Sequence, residues 1–219
     1  MVQKLKQKVM DGKEITKEEA MTLAEADLDE LCQAADEIRK HFCGNVFDIC
    51  SCINVKGGKC SEDCKFCPQS CFNDKVEVKP HTLIGSDQML EEAAYMAQKD
   101  VVRCDLVSSG RRLPKDDVRK IVQDIERIRK ETGIAVCCSF GLLDQEDCEM
   151  LRKAGITRLH NNLESSRTFF TGVCSSHSTD DKMATLRAAR AAGLTLCSGC
   201  LINLGESMED RIELALMER

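Results

Sequence analysis

From residue 46 onward the chain alternates short apolar runs with longer stretches whose apolar residues recur at i, i+3, i+4 and i+7, the two periods that separate strands from one-faced helices. The runs predict strands over 46–54, 101–108, 134–140, 156–162 and 194–202. The longer stretches predict helices over 87–98, 115–131, 145–154, 180–192 and 206–218. The pattern is plainest in 115–131, where Val118, Ile121, Val122, Ile125 and Ile128 form one stripe, begun after Pro114 and stopped at Gly133. Gly155 and Gly193 end the helices over 145–154 and 180–192 in the same way. Five strand-then-helix units, each with a crossover of a dozen residues or more, require a parallel sheet with its helices outside, an α/β fold. Residues 1–44 lack this alternation and read as a two-helix lead-in, with Ile15-Thr16 ahead of an acidic turn and apolar positions at Met21, Leu23, Leu28, Leu31 and Ile38. That lead-in is either a cap over one end of the domain or a surface hairpin. The division expected is therefore a helical extension over 1–44 and a β/α domain over 45–219, with no internal repeat or low-complexity linker.

Composition narrows the function. A chain of 219 residues can bury one substantial core. A net charge of -6 argues against general binding to nucleic acid or anionic membrane. No apolar run approaches the roughly 20 residues of a spanning helix, and residues 1–17 are too polar for a secretory signal, so a cytoplasmic protein is expected. Fifteen cysteines among 31% charged residues, without a signal peptide, point to reduced thiols and metal ligation rather than a disulfide scaffold. Cys32, Cys43 and Cys148 fall inside helical patterns and read as packed small apolar residues.

Cys60, Cys64 and Cys67 stand apart. They form CxxxCxxC in GGKCSEDCKFCPQSC, just after the first strand, which is where parallel β/α architectures place their sites. A structural zinc ion or a closed cubane takes four protein ligands, whereas three thiolates leave one iron of a 4Fe–4S cluster open to an outside molecule. A zinc knuckle completed by Cys71 or His81 is the alternative. Phe66 and the pair Gly57-Gly58 favour the cluster.

CxxxCxxC with an aromatic before its last cysteine resembles the radical S-adenosylmethionine (SAM) superfamily. The longer string KGGKCSEDCKFCPQS, followed in order by SSGRRL (108–113), HNNLESS (160–166) and CSGCLINLGES (197–207), resembles the biotin synthase family within it. The resemblance implies a TIM-type β/α barrel, of which this chain supplies about five of eight units, as if truncated at its C-terminal side. It implies a radical SAM sulfurtransferase inserting sulfur into dethiobiotin to give biotin by way of a 5′-deoxyadenosyl radical. Two other readings stay open: a related radical SAM maturase, and a truncated, catalytically silent iron–sulfur binding protein. The implied cofactors are a 4Fe–4S cluster on Cys60, Cys64 and Cys67, SAM, and an auxiliary iron–sulfur cluster, 2Fe–2S or a variant. The implied partners are dethiobiotin, an electron donor such as flavodoxin or ferredoxin, and a second copy in a homodimer, with no nucleic acid and no membrane.

Residue by residue, the resemblance places Asn162 and Glu164 at the cofactor ribose, with Phe66 beside the cluster. Both lie two apart at the end of the predicted fourth strand and so would share a face; a polar strand end with Ser165 or Ser166 capping a helix is the plainer reading. His160 has the same parity. Lys182 matches a position that meets the methionyl carboxylate, though alone it reads as a solvated helix-face lysine. Cys137 and Cys197 match two auxiliary-cluster cysteines, with Cys138 and Cys200 on the opposite parity and expected to pack against helices. The third family cysteine position falls on Asp105, and Cys104, one residue early, is kept as a candidate although such an offset turns a side chain to the other face. The family's arginine ligand and the asparagine that reads the ureido ring would lie beyond Arg219.

Overall fold

The computed structural model describes all of residues 1–219. Three helices lead in, α1 (Val2–Met10), α2 (Lys17–Leu23) and α3 (Leu28–Cys43). They are followed by β1 (Cys50–Lys56), α4 (Ser86–Ala97), β2 (Arg103–Ser108), α5 (Lys115–Thr132), β3 (Ala135–Ser139) and α6 (Gln145–Ala154). The chain continues through β4 (Arg158–His160), α7 (Phe170–Val173), α8 (Thr179–Ala191), β5 (Thr195–Cys197) and α9 (Met208–Glu218). The strands form one parallel sheet in the order β1-β2-β3-β4-β5. It is open, with β1 and β5 at its edges, five of the eight strands that close a β/α barrel.

Alternation along the strands assigns the two faces. Ile53, Val55, Cys104, Leu106, Val136, Cys138 and Leu159 turn to the helices and join a core of 23 buried residues. The α5 stripe supplies Val118, Ile121, Ile125 and Ile128 to the same core, so its 3.6-residue period is the packing surface. The opposite face carries Cys50, Cys52, Asp105 and Cys137. Helix starts are set by capping boxes: Asp144 with Asp147 on α6, Ser178 with Asp181 on α8, and Ser207 with Asp210 on α9.

Several expectations need correction. The first strand begins at Cys50, not residue 46: Val46 and Phe47 are 81% and 84% exposed, because apolar character alone does not supply a pairing partner. The fourth and fifth strands are three residues each, since the chain leaves the sheet at His160 and Cys197 for turns that build the site. The lead-in has three helices rather than two; α1 packs on α3 and α2 on α9, where Lys17 meets Glu209 at 2.5 Å. Those helices bury few residues, which leaves Cys32 and Cys43 exposed while Cys148 is buried as expected. Cys138 is buried in the helix-facing core, but Cys200 is exposed, because it lies past the end of β5 where strand parity no longer applies. No helix is long and apolar enough to cross a membrane.

Candidate active site

Two glycines open the loop after β1. Gly58 has φ +76°, and a Cβ there would lie 2.7 Å from the Pro80 Cα, so only glycine lets the two segments pass. Cys60 is then pinned by its own N–H on Gln69 O and by its carbonyl, which accepts from Cys71 N, both at 2.8 Å. A turn from Cys67 N to Cys64 O at 3.1 Å sets the second and third thiols.

The loop is fastened from across the sheet. Asp63 Oδ1 accepts the backbone N–H groups of Ser175 and Ser176, both at 2.9 Å, and Ser175 Oγ donates to the other carboxylate oxygen. Lys65 N donates to Val173 O at 3.0 Å and Lys65 Nζ to Gly172 O at 2.6 Å. Glu62, 6% exposed, receives Ser176 Oγ at 2.9 Å and meets His177 Nδ1 at 2.7 Å. The Arg111 guanidinium reaches both Glu62 and the Ser176 carbonyl. The CxxxCxxC loop and the α7–α8 connection thus form one cross-linked unit.

Cys60, Cys64, Phe66 and Cys67 line a cavity of about 530 Å³, a size typical of cofactor sites. Glu164, Lys182 and Asn161 line the same cavity. Lys182 is 8% exposed, so the reading of a solvated helix-face lysine is corrected: the α8 stripe that buries Thr185 and Ala189 also turns this residue inward. The expected strand-parity pairing of Asn162 with Glu164 is corrected too, because β4 ends at His160. Glu164 has φ +67° and bridges to Cys200, so a left-handed turn rather than strand alternation aims it into the cavity. Asn161, not Asn162, lines the cavity; Asn162 lies beside Glu164 and Gly199. Burial raises the Glu164 carboxyl above its ordinary range, against the pull of Lys182 and Asn162.

Two acceptors are left without partners, Glu164 Oε2 and Asn161 Oδ1. Buried acceptors of this kind fit a ligand that brings hydroxyl and amine donors, and the buried Lys182 fits a carboxylate. Three thiols, two orphaned acceptors and one cation fit a metal cluster beside a ligand that carries hydroxyl, amine and carboxylate groups.

Cys71 and His81, the candidates for closing a zinc knuckle, are both exposed. The tight metal-sized group is elsewhere: Cys64, Cys174 and His177 bring their ligating atoms within 4.8 Å of one another. Cys174 was hidden in the sequence because it stands 110 residues from Cys64, which it approaches to 3.6 Å.

On the open face of the sheet, Cys137 is buried, and its Sγ is 3.5 Å from Cys104 O. Cys197 Sγ lies 3.3 Å from His160 Nδ1. Asp105 is buried beside them, accepting from Ser139 Oγ at 2.9 Å. Cys104 is fully buried on the helix side, which pushes its thiol up to about 12, so it is removed as a candidate third ligand by its parity. Cys50 and Cys52 were passed over, yet two cysteines two apart on a strand must share a face, and that spacing was a signal.

Comparison with known proteins bears on the metal readings. The radical SAM superfamily pattern matches residues 54–217. Biotin synthase 2 of Corynebacterium diphtheriae is 50% identical over all of this chain and 66% of its own length. Biotin synthase of Brachyspira hyodysenteriae is 46% identical, covering 97% of this chain and 63% of that protein, and that of Clostridium botulinum (strain Hall) 42%, covering 99% and 68%. The chain belongs to the biotin synthase family. It spans about two thirds of the length of these curated relatives. Two solved structures share the fold. Methylornithine synthase (PylB) superposes with TM-score 0.83 at 23% identity, covering 98% of this chain and 64% of that one. HydG, a maturase of the [FeFe]-hydrogenase, gives 0.80 at 19%, covering 97% and 48%. Membership in the superfamily implies a 4Fe–4S cluster and SAM, which is the pair that the cavity suits.

Proposed function

We propose that this biotin synthase family member converts dethiobiotin to biotin by inserting sulfur between two carbons. The observation that carries the reading is the single cavity in which Cys60, Cys64 and Cys67 face Glu164, Asn161 and Lys182. The three thiolates would hold the cluster. When bound, cluster and SAM supply one-electron chemistry able to remove hydrogen from an unactivated C–H bond. The protein's own share is placement. Glu164, acceptor-only when ionised, takes both hydroxyls of a ribose diol, and Lys182 pairs with the methionyl carboxylate, as a point charge rather than a bidentate fork. Asn161, fixed by its Nδ2 donating to Gly141 O at 3.0 Å, keeps Oδ1 free for an amine or hydroxyl, and Asn162 stays beside Glu164. Phe66 covers the cluster side and limits water. Cys137 and Cys197 are the proposed holders of an auxiliary cluster, the sulfur source. Flavodoxin or ferredoxin is the proposed electron donor, and a homodimer the proposed assembly.

A second reading has one observation in its favour. Two sulfurs on a tetrahedral zinc at about 2.3 Å are about 3.8 Å apart. Cys64 and Cys174 stand at 3.6 Å with His177 Nδ1 3.3 Å from Cys174. Anaerobic reconstitution separates the two: the radical reading expects about four irons on the motif, lost in Cys64→Ala and kept in Cys174→Ala. Zinc in place of iron, lost in both variants, would establish the other.

A further inference from the structure

Cys174 takes no part in holding the cluster, yet the fold presses it against a thiol that does. The bonds that fasten the motif loop to the α7–α8 connection fall on either side of two cysteines. Asp63 accepts the N–H groups of Ser175 and Ser176, and Lys65 N donates to Val173 O, so Cys64 and Cys174 are held opposite each other. Their sulfurs are 3.6 Å apart. The two thiols differ in access: Cys64 lines the 530 Å³ cavity, whereas Cys174 is only 2% exposed. An imidazole completes the arrangement. The His177 ring faces the Cys174 sulfur with Nδ1 at 3.3 Å and Nε2 at 3.9 Å, and its Nδ1 meets Glu62 at 2.7 Å.

From this geometry we infer that Cys64 and Cys174 form a reversible disulfide in the cluster-free chain, a modification site in which an accessible thiol is resolved by a buried one. The oxidant is a low-molecular-weight disulfide that enters the cavity. Cys64 Sγ attacks one of its sulfurs, its S–S bond breaks, and one small thiol leaves with the Cys64 proton. Cys174 Sγ then attacks the Cys64 sulfur of the mixed disulfide and expels the second small thiol. The Cys174 proton passes to that thiolate through the His177 ring, whose Nε2 is free to take it while Nδ1–H is donated to Glu62. Two protein thiols thus lose two electrons and two protons, and the small disulfide gains both. The bond keeps Cys64 off the irreversible steps of sulfur oxidation and is undone by an excess of small thiol. It also takes up a sulfur that the cluster needs, and only this competition rests on the cluster reading above.

The test maps the bond. The full chain, stripped of metal with a chelator and kept free of air, is treated with oxidised glutathione. Remaining thiols are then alkylated and tryptic peptides read by mass spectrometry. The peptide 60–65 is expected joined to the peptide 168–182. The joined pair persists in Cys60→Ser and is lost in Cys64→Ser. In Cys174→Ser the reaction is expected to stop at the mixed disulfide, leaving glutathione on the peptide 60–65, which a merely misfolded variant would not single out; circular dichroism checks folding in each. A parent chain without the joined pair, or a Cys64→Ser chain that keeps it, overturns the disulfide and leaves the cluster reading standing. The same challenge to the anaerobically reconstituted chain tests the competition. With iron on Cys64 the joined pair falls to background, whereas undiminished joining in a chain that has taken up iron overturns Cys64 as a cluster ligand and leaves the disulfide standing.

Discussion

The two thiol-bearing regions solve the same problem in opposite ways. Around the CxxxCxxC loop, charge is met by donors: Asp63 is held far below the usual carboxylate range by the Ser175 hydroxyl, the Cys174 thiol and two backbone N–H groups. On the open sheet face charge is stranded: burial raises the Asp105 carboxyl, only partly countered by Ser139 and His160, and its Oδ1 has no partner. The loop is finished as a piece of protein. The sheet face carries an unmet electrostatic demand that a bound metal would answer.

The contrast can be broken most forcefully at Asp63. Asp63→Ala frees the N–H groups of Ser175 and Ser176 and is expected to cost on the order of 1–2 kcal/mol, after allowing for solvent at the loop edge, in chemical denaturation of the cluster-free chain. Because its folded pKa is depressed, its stabilising contribution is present above about pH 4 and fades as pH falls through the folded value. An Asp63→Ala chain as stable as the parent at pH 7 would mean the loop is not fastened there. Asp105→Asn should move stability the other way, by about 1 kcal/mol at pH 7, the low end of the cost of an unpartnered buried oxygen. Here the folded pKa is raised, so the carboxyl's contribution is intact below about pH 4 and lost as pH rises through the folded value. Parent and Asp105→Asn melting curves should therefore converge in acid; a gap that persists there would refute the burial account. The smallest effect belongs to Glu164→Gln, which relieves a buried carboxylate but forfeits its attraction to Lys182. A gain of less than about 1 kcal/mol at pH 7, together with weaker SAM binding by calorimetry, is the expected pair of results.

Legibility divides along the same line. Cys60, Cys64 and Cys67 lie within eight residues of chain, so spacing alone exposed them. Helix α6 matches its expected bounds to the residue and α5 to within one, because a stripe of apolar residues and the glycines that stop each helix are local signals. Asn161 and Cys174 reach their positions through turn geometry between distant segments, which no local window reports. The parity argument worked on β3, where Cys138 packs against the helices, and failed after β4 and β5, where the strands stop early.

One turn of backbone limits how this protein can drift. Residue 164 sits at φ +67°, a shape that β-branched side chains adopt only with strain. Lineages that exchange its carboxylate can pass through asparagine, aspartate or glycine and keep the path of the chain, while valine or isoleucine would deflect the segment running against Cys200 and Leu201. Variation there is filtered first by stereochemistry and only then by what the pocket holds.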